Sequence, residues 1–131
     1  MVPPHFSSHD LALVPSALTW ALDFFHLSSW SVALHTDTIA LAGEDVLPTA
    51  DIEYFPTHLQ ATITLRVPSC QHEDTSPVFS IFHEAAHLFL WFLPPTRDGS
   101  LADTHLELAC NQLAFSLYTL WAAINCPPTT P

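Results

Sequence analysis

Two histidines one helical turn apart, inside an otherwise apolar segment, limit this chain more tightly than any other feature. The segment is Ile81-Phe82-His83-Glu84-Ala85-Ala86-His87-Leu88-Phe89. On an α-helix, imidazoles at i and i+4 stand on one face and can close on a single metal ion. Ser76-Pro77 supplies an N-cap followed by proline at the first helical position, and Pro94-Pro95 cannot continue a helix. Between those stops, Val78, Phe79, Ile81, Phe82, Leu88, Phe89, Leu90, Trp91 and Phe92 are apolar almost all round, as in a helix buried in a core. His83, Glu84 and His87 need partners there, because an unpaired buried charge is costly. They are either hydrogen-bonded core residues or part of a metal site, and the H-E-x-x-H spacing favours the metal. In that pattern the glutamate is not a ligand but the base that takes a proton from a metal-activated water.

At 131 residues the chain is long enough for one domain with a real core and too short for two. We read residues 1–10 as an N-terminal arm and 127–131 as a tail. Formal net charge is −11, and Arg66 and Arg97 are the only lysine or arginine residues, which argues against direct binding to nucleic-acid phosphates. Cys70, Cys110 and Cys126 are odd in number and lack C-x-x-C spacing, so neither a disulfide framework nor a thiolate metal site is expected. Such cysteine usage fits a reducing cytoplasm, and Met1-Val2-Pro3-Pro4-His5 does not read as a signal peptide. Leu108 to Ile124 carries no formal charge, yet Asn111, Gln112, Ser116, Tyr118 and Thr119 break it up, so a buried or interface helix is expected rather than a membrane span.

The remaining pattern is α+β. Pro15 opens a helix with Leu18, Ala21, Leu22 and Phe25 at helical spacing, expected to pack on a sheet. Trp30, Val32 and Leu34 alternate with polar or small residues as in a strand, and Thr38 to Ala42 extends it or adds a short one. The loop through Glu44 to Pro48 carries no clear signal. Asp51–Phe55 and Leu59–Arg66 are further strands joined in a hairpin by Pro56-Thr57-His58, giving a meander of three or four strands with Ala61, Ile63 and Leu65 facing one way. A polar loop, Pro68 to Thr75, leads into the histidine helix. Ser100 and Asp103 form a capping box for a long last helix running to about Asn125.

A catalytic metal takes three protein ligands and keeps one position open. The metzincin solution, a third histidine after a glycine on the same stretch, is missing from Leu88 to Phe92. Asp103, His105 and Glu107 on the next helix are therefore the candidates. Glu107 is best placed, among small and apolar residues and on one face with Asn111 and Ala114; His105 is the main substitute. Asn111 is positioned to hydrogen-bond a ligating group.

His83-Glu84-Ala85-Ala86-His87 followed by Glu107-Leu108-Ala109-Cys110-Asn111-Gln112-Leu113-Ala114 resembles the ImmA/IrrE-type metallopeptidases, whose second motif reads E-x-x-A/C-N-x-x-A. The chain is also similar to very small bacterial and phage zincins, with Trp30, Tyr54 and Ala61-Thr62-Ile63-Thr64-Leu65 in the places of their strand residues. This resemblance implies a gluzincin-like fold: a small twisted sheet backed by a helix, with two metal-bearing helices packed together. It implies Zn²⁺ held by His83, His87 and Glu107, with Glu84 as general base. The chain departs from the family at Leu117-Tyr118-Thr119-Leu120, which replaces a common Leu-Met-Pro.

The expected activity is hydrolysis of peptide bonds in a protein target, in the cytoplasm, or in a host cytosol if phage-encoded. His105, Tyr54 and Tyr118 are candidates for steadying the developing oxyanion. A substrate strand is expected along the sheet edge beside Ala61 to Leu65. A homo-oligomer is compatible with the sequence. The competing reading is a zinc-stabilised, non-catalytic module that binds or regulates a partner, to which the 49% of hydrophobic residues, Trp91 and Trp121 among them, would be suited.

Overall fold

The helix carrying the two histidines starts where the sequence places it. The Ser76 side chain accepts a hydrogen bond from the Phe79 amide, and Pro77 occupies the first turn, so an orphan N–H is satisfied where proline costs nothing. The computed structural model describes residues 2–38, 49–67, 71 and 74–125, and the elements below are those of the described residues. In chain order they are α1 (Ser8–Phe24), β1 (Ser31–Thr38), β2 (Ala50–Phe55), a 3-10 turn (Pro56–His58), β3 (Gln60–Val67), α2 (Pro77–Phe89) and α3 (Leu101–Asn125). The possible strand extension through Ile39 to Ala42, the loop through Glu44 to Pro48, Cys70, Cys126, the tail at 127–131 and parts of the arm and of the 68–75 loop lie outside the described residues.

Helix α2 is the hub, packed against α1, α3, β2 and β3. Val78, Ile81, Phe82, Ala85, Ala86 and Leu88 are fully enclosed, as expected for a helix apolar on every side. Full burial of a side chain such as Phe82 contributes about 1.5–3 kcal/mol. Phe82 meets Trp20 of α1 and Trp121 of α3, with ring centroids 5.7 and 6.0 Å away. In α3, Cys110, Ala114, Leu117 and Trp121 form the buried stripe at helical spacing.

Three strands form a mixed sheet in the order β1-β3-β2. The hairpin is as read from the sequence: β2 pairs antiparallel with β3, Ile52 opposite Ile63, and Leu59 turns the corner at φ 50°. The meander is not. β1 pairs parallel with β3, Val32 beside Ala61 and Leu34 beside Ile63, which requires a crossover that local alternation does not announce. Ala61, Ile63 and Leu65 do face the core, at 4%, 0% and 1% exposure. β3 is thus the central strand with both sides paired, so no substrate strand can add beside Ala61 to Leu65. Among the described residues the free edge next to α2 belongs to β2.

Helix α1 also departs from the sequence reading. It begins at Ser8 rather than near Pro15, because the Ser7 hydroxyl accepts the amides of His9 and Asp10 and caps an earlier start. Residues 8–10 therefore belong to the helix and not to an arm. Pro15 sits inside the helix, where the Ser16 hydroxyl donates to the Leu13 carbonyl. Its main packing partner is α2 rather than the sheet, since Ala17 and Ala21, both without exposure, allow close approach. Among the described residues no helix is long and apolar enough to cross a membrane.

Candidate metal centre

His83 and His87 project from the same side of α2, four residues apart, into a cleft floored by α2 and walled by β2 and α3. Glu107 reaches the same point from α3, whose first turn is fixed by local bonds. The Asp103 amide donates to the Ser100 hydroxyl, and the Asp103 carboxylate accepts from the Gly99 amide and the Thr96 hydroxyl. Only half of the capping box read from the sequence forms, since the Asp103 carboxylate takes the Gly99 amide and not that of Ser100, whose amide donates to the Arg97 carbonyl; these bonds occupy Asp103 apart from the His83, His87 and Glu107 cluster.

The two imidazoles and both oxygens of the one carboxylate lie close together. His83 Nε2 lies 2.9 Å from Glu107 Oε2, His87 Nε2 lies 3.0 Å from Glu107 Oε1, and the two Nε2 atoms are 3.2 Å apart. On its far side, His83 Nδ1 donates to Asn111 Oδ1 at 2.8 Å, one turn beyond Glu107. With the hydrogen on Nδ1, a neutral His83 presents a bare electron pair at Nε2, directed at a carboxylate and at another imidazole nitrogen. A proton on His87 Nε2 would satisfy its contact with Glu107 and leave the others, whereas one cation can satisfy all three side chains. His83, His87 and Glu107 therefore make a site that could hold a metal ion.

The surroundings suit a cation as well. The cleft has a volume of about 870 Å³ and is lined by four carboxylates, Asp51, Glu84, Asp98 and Glu107, with neither arginine nor lysine among its lining residues. Burial lowers the pKa of His87, and the neighbouring His83 adds to the effect, so the ring is held in the neutral form that a metal requires. Glu84 is 8% exposed, and burial, then the charges of Glu107 and Asp51, push its pKa up to about 8. A divalent ion beside it would act in the opposite sense and favour the carboxylate. Arg66, whose guanidinium donates to Asp51 at 2.7 Å, is the one neighbouring group that lowers it.

The other candidates part company. Tyr54 lines the cleft from β2. His105 is turned away, into a separate apolar groove with Leu93, Pro95 and Leu106. Tyr118 donates its hydroxyl to Asp10 at 2.8 Å and does not line the cleft. His105 and Tyr118 are thus not placed to steady an oxyanion there. Cys110 is fully buried under Glu107, and burial pushes its thiol up to about 12, so it stays protonated and is not a ligand. Asp51, Asp98 and Thr75, which also line the cleft, escaped sequence reasoning because nothing local distinguishes them. Comparison with protein-family models, with curated proteins and with solved structures returns no match for this chain.

Proposed function

We propose that this chain is a zinc-dependent endopeptidase of the minimal zincin type, with His83, His87 and Glu107 as zinc ligands and Glu84 as general base. The observation that carries the proposal is the convergence of His83, His87 and Glu107, with a second carboxylate, Glu84, beside them that takes no part in their contacts. Zinc ligated at 2.0–2.1 Å in tetrahedral geometry separates its donor atoms by roughly 3.3 Å. One ligand atom from each of the three side chains lies within 4.8 Å of the other two, close enough for small side-chain adjustments to reach that spacing. A purely structural zinc normally has four protein ligands, and among the described residues the cluster offers three. That count, together with Glu84, weighs against the non-catalytic partner-binding alternative.

Bound there, zinc would supply a Lewis acid and bring the pKa of water toward about 7. The protein's own part can be stated residue by residue. Glu84, enclosed beside the cluster, is the group that accepts a proton from the attacking water and passes it to the leaving amine. Asn111 fixes the His83 tautomer so that Nε2 is the atom offered to the ion. The edge of β2 that is free among the described residues offers main-chain groups to an extended substrate, replacing the β3 edge expected from sequence. Tyr54 is the remaining candidate for a hydrogen bond to the developing oxyanion.

The test uses the zinc-loaded chain with a mixture of peptides from unfolded proteins, new termini being identified by mass spectrometry. The wild type should generate termini, and Glu84→Gln should keep zinc while losing cleavage by about 10²–10⁴-fold, the usual contribution of a general acid–base. Cleavage by Glu84→Gln at the wild-type rate would refute the assignment.

A further inference from the structure

A second cavity opens directly off the metal cleft, and its chemistry is different. It has a volume of about 490 Å³ and is bounded by the end of β2 and the loop that follows α2, with Tyr54, Leu90, Trp91, Leu93, Pro94 and Leu106 among its walls. His87 also lines it, so the ligand face and this pocket are continuous, and Tyr54 stands between them. Among the described residues no Lys, Arg, Asp or Glu lines this pocket, whereas the cleft beside it carries four carboxylates.

The walls are held in place. The Trp91 ring meets Trp30 edge to face with centroids 5.9 Å apart, and the loop is closed by the Trp91 and Leu93 amides donating to the Leu88 and Leu90 carbonyls. Even so, Trp91 and Leu93 remain 38% and 43% exposed. Exposed aromatic and aliphatic groups beside a polar cleft cost hydration free energy unless something covers them in function.

The strand geometry indicates what would cover them. Ala50, Ile52 and Tyr54 share one face of β2, and successive side chains on one face of an extended chain are about 6.6–6.8 Å apart. Because His87 and Tyr54 line both cavities, a peptide lying along β2 with its scissile bond over His83 and His87 brings a nearby side chain, on the Phe55 side, to the Tyr54–Leu93 pocket. We infer that this pocket is a specificity site that takes a large apolar side chain, aromatic or branched aliphatic, flanking the bond to be cut. The inference rests on the zinc peptidase reading and adds to it the class of substrate side chain that the enzyme selects.

Peptide hydroxamates test it without requiring turnover, because the hydroxamate binds zinc whether or not a bond is cleaved. Two series are needed, one with the variable side chain on each side of the chelating group, each with Phe, Leu, Gly and Asp. Binding to the zinc-loaded full chain is measured by calorimetry, after zinc stoichiometry has been established. In one series Phe and Leu should bind at least about tenfold more tightly than Gly, the usual lower limit for filling an apolar pocket, with Asp weakest. Leu93→Asp, at a half-exposed loop position, should retain zinc and erase most of that preference. Equal affinities across both series on zinc-loaded protein would overturn the pocket assignment alone. Failure to bind zinc at all would overturn the metal site beneath it, and the inference with it.

Discussion

Two polar clusters flank α2, and they are finished differently. Near the start of the helix, the Asp10 carboxylate, 5% exposed, accepts the hydroxyls of both Ser76 and Tyr118. Donors face an acceptor, and the cluster joins α1, the cap of α2 and α3 with groups the chain itself supplies. Toward the other end, His83, His87 and Glu107 also join α2 to α3, but there His83, with its hydrogen on Nδ1, turns a bare Nε2 toward a carboxylate oxygen at 2.9 Å and toward His87 at 3.2 Å. The first cluster is complete as protein, whereas the second lacks positive charge. Burial of polar groups is tolerated when they are paired, so the contrast separates a self-sufficient structural network from a cluster that could hold a metal ion.

The sharpest way to break the comparison is to remove one acceptor from each cluster. Glu107→Ala should lower zinc affinity by more than about 100-fold, beyond the range expected for losing an outer partner, with the fold retained. Zinc titration monitored by a competing chelator checks this, and unchanged affinity would move the third ligand elsewhere. Asp10→Ala should do the reverse. It leaves two hydroxyls without their acceptor and should destabilise the chain by about 2–4 kcal/mol in urea unfolding, without altering zinc stoichiometry.

How far the sequence revealed these clusters follows from the range of the signals. His83 and His87 are four residues apart, Glu107 and Asn111 are four apart, and both pairs lie on helices whose caps, Ser76 and Ser100, are also local signals. Short-range periodicity therefore singled out His83 and His87 and, with Asp103 and His105 as rivals, favoured Glu107, the three side chains that the fold brings together, with Asn111 beside them. Asp10 and Tyr118 are 108 positions apart, and their pairing depends on how α1 and α3 dock on α2, which no spacing rule reports. The parallel partnership of β1 and β3 is non-local in the same way, and misplacing it left β3 with a free edge that the fold does not give it. Pro15 misled because proline is common at a helix start, yet the Ser7 cap outweighed it.

Smaller effects sharpen the contrast. Asn111→Ala frees His83 to change tautomer and should weaken zinc binding by about 10–100-fold, less than the loss of Glu107. In metal-free protein, Glu84 holds its proton up to about pH 8 when folded, against an ordinary value of 4.5. The folded state therefore binds more protons between those values, and this group's contribution to stability falls as pH rises, by at most roughly 1.4 kcal/mol per unit. His87 acts oppositely: its lowered pKa favours the neutral ring in the fold, so its contribution is lost as pH drops below 6.5. Subtracting the Glu84→Gln unfolding curve from wild type isolates the first effect. The difference should decline from about pH 5 to about pH 8 in chelator-treated samples, and parallel curves would contradict the assigned shift.

X-ray absorption at the zinc edge of the loaded chain probes the metal centre most directly. It should give one zinc per chain with nitrogen and oxygen neighbours only, two of them imidazoles at about 2.0–2.1 Å, and a light-atom fourth neighbour not supplied by the protein. A sulfur neighbour near about 2.3 Å, or no stoichiometric zinc, would contradict a centre built from His83, His87 and Glu107.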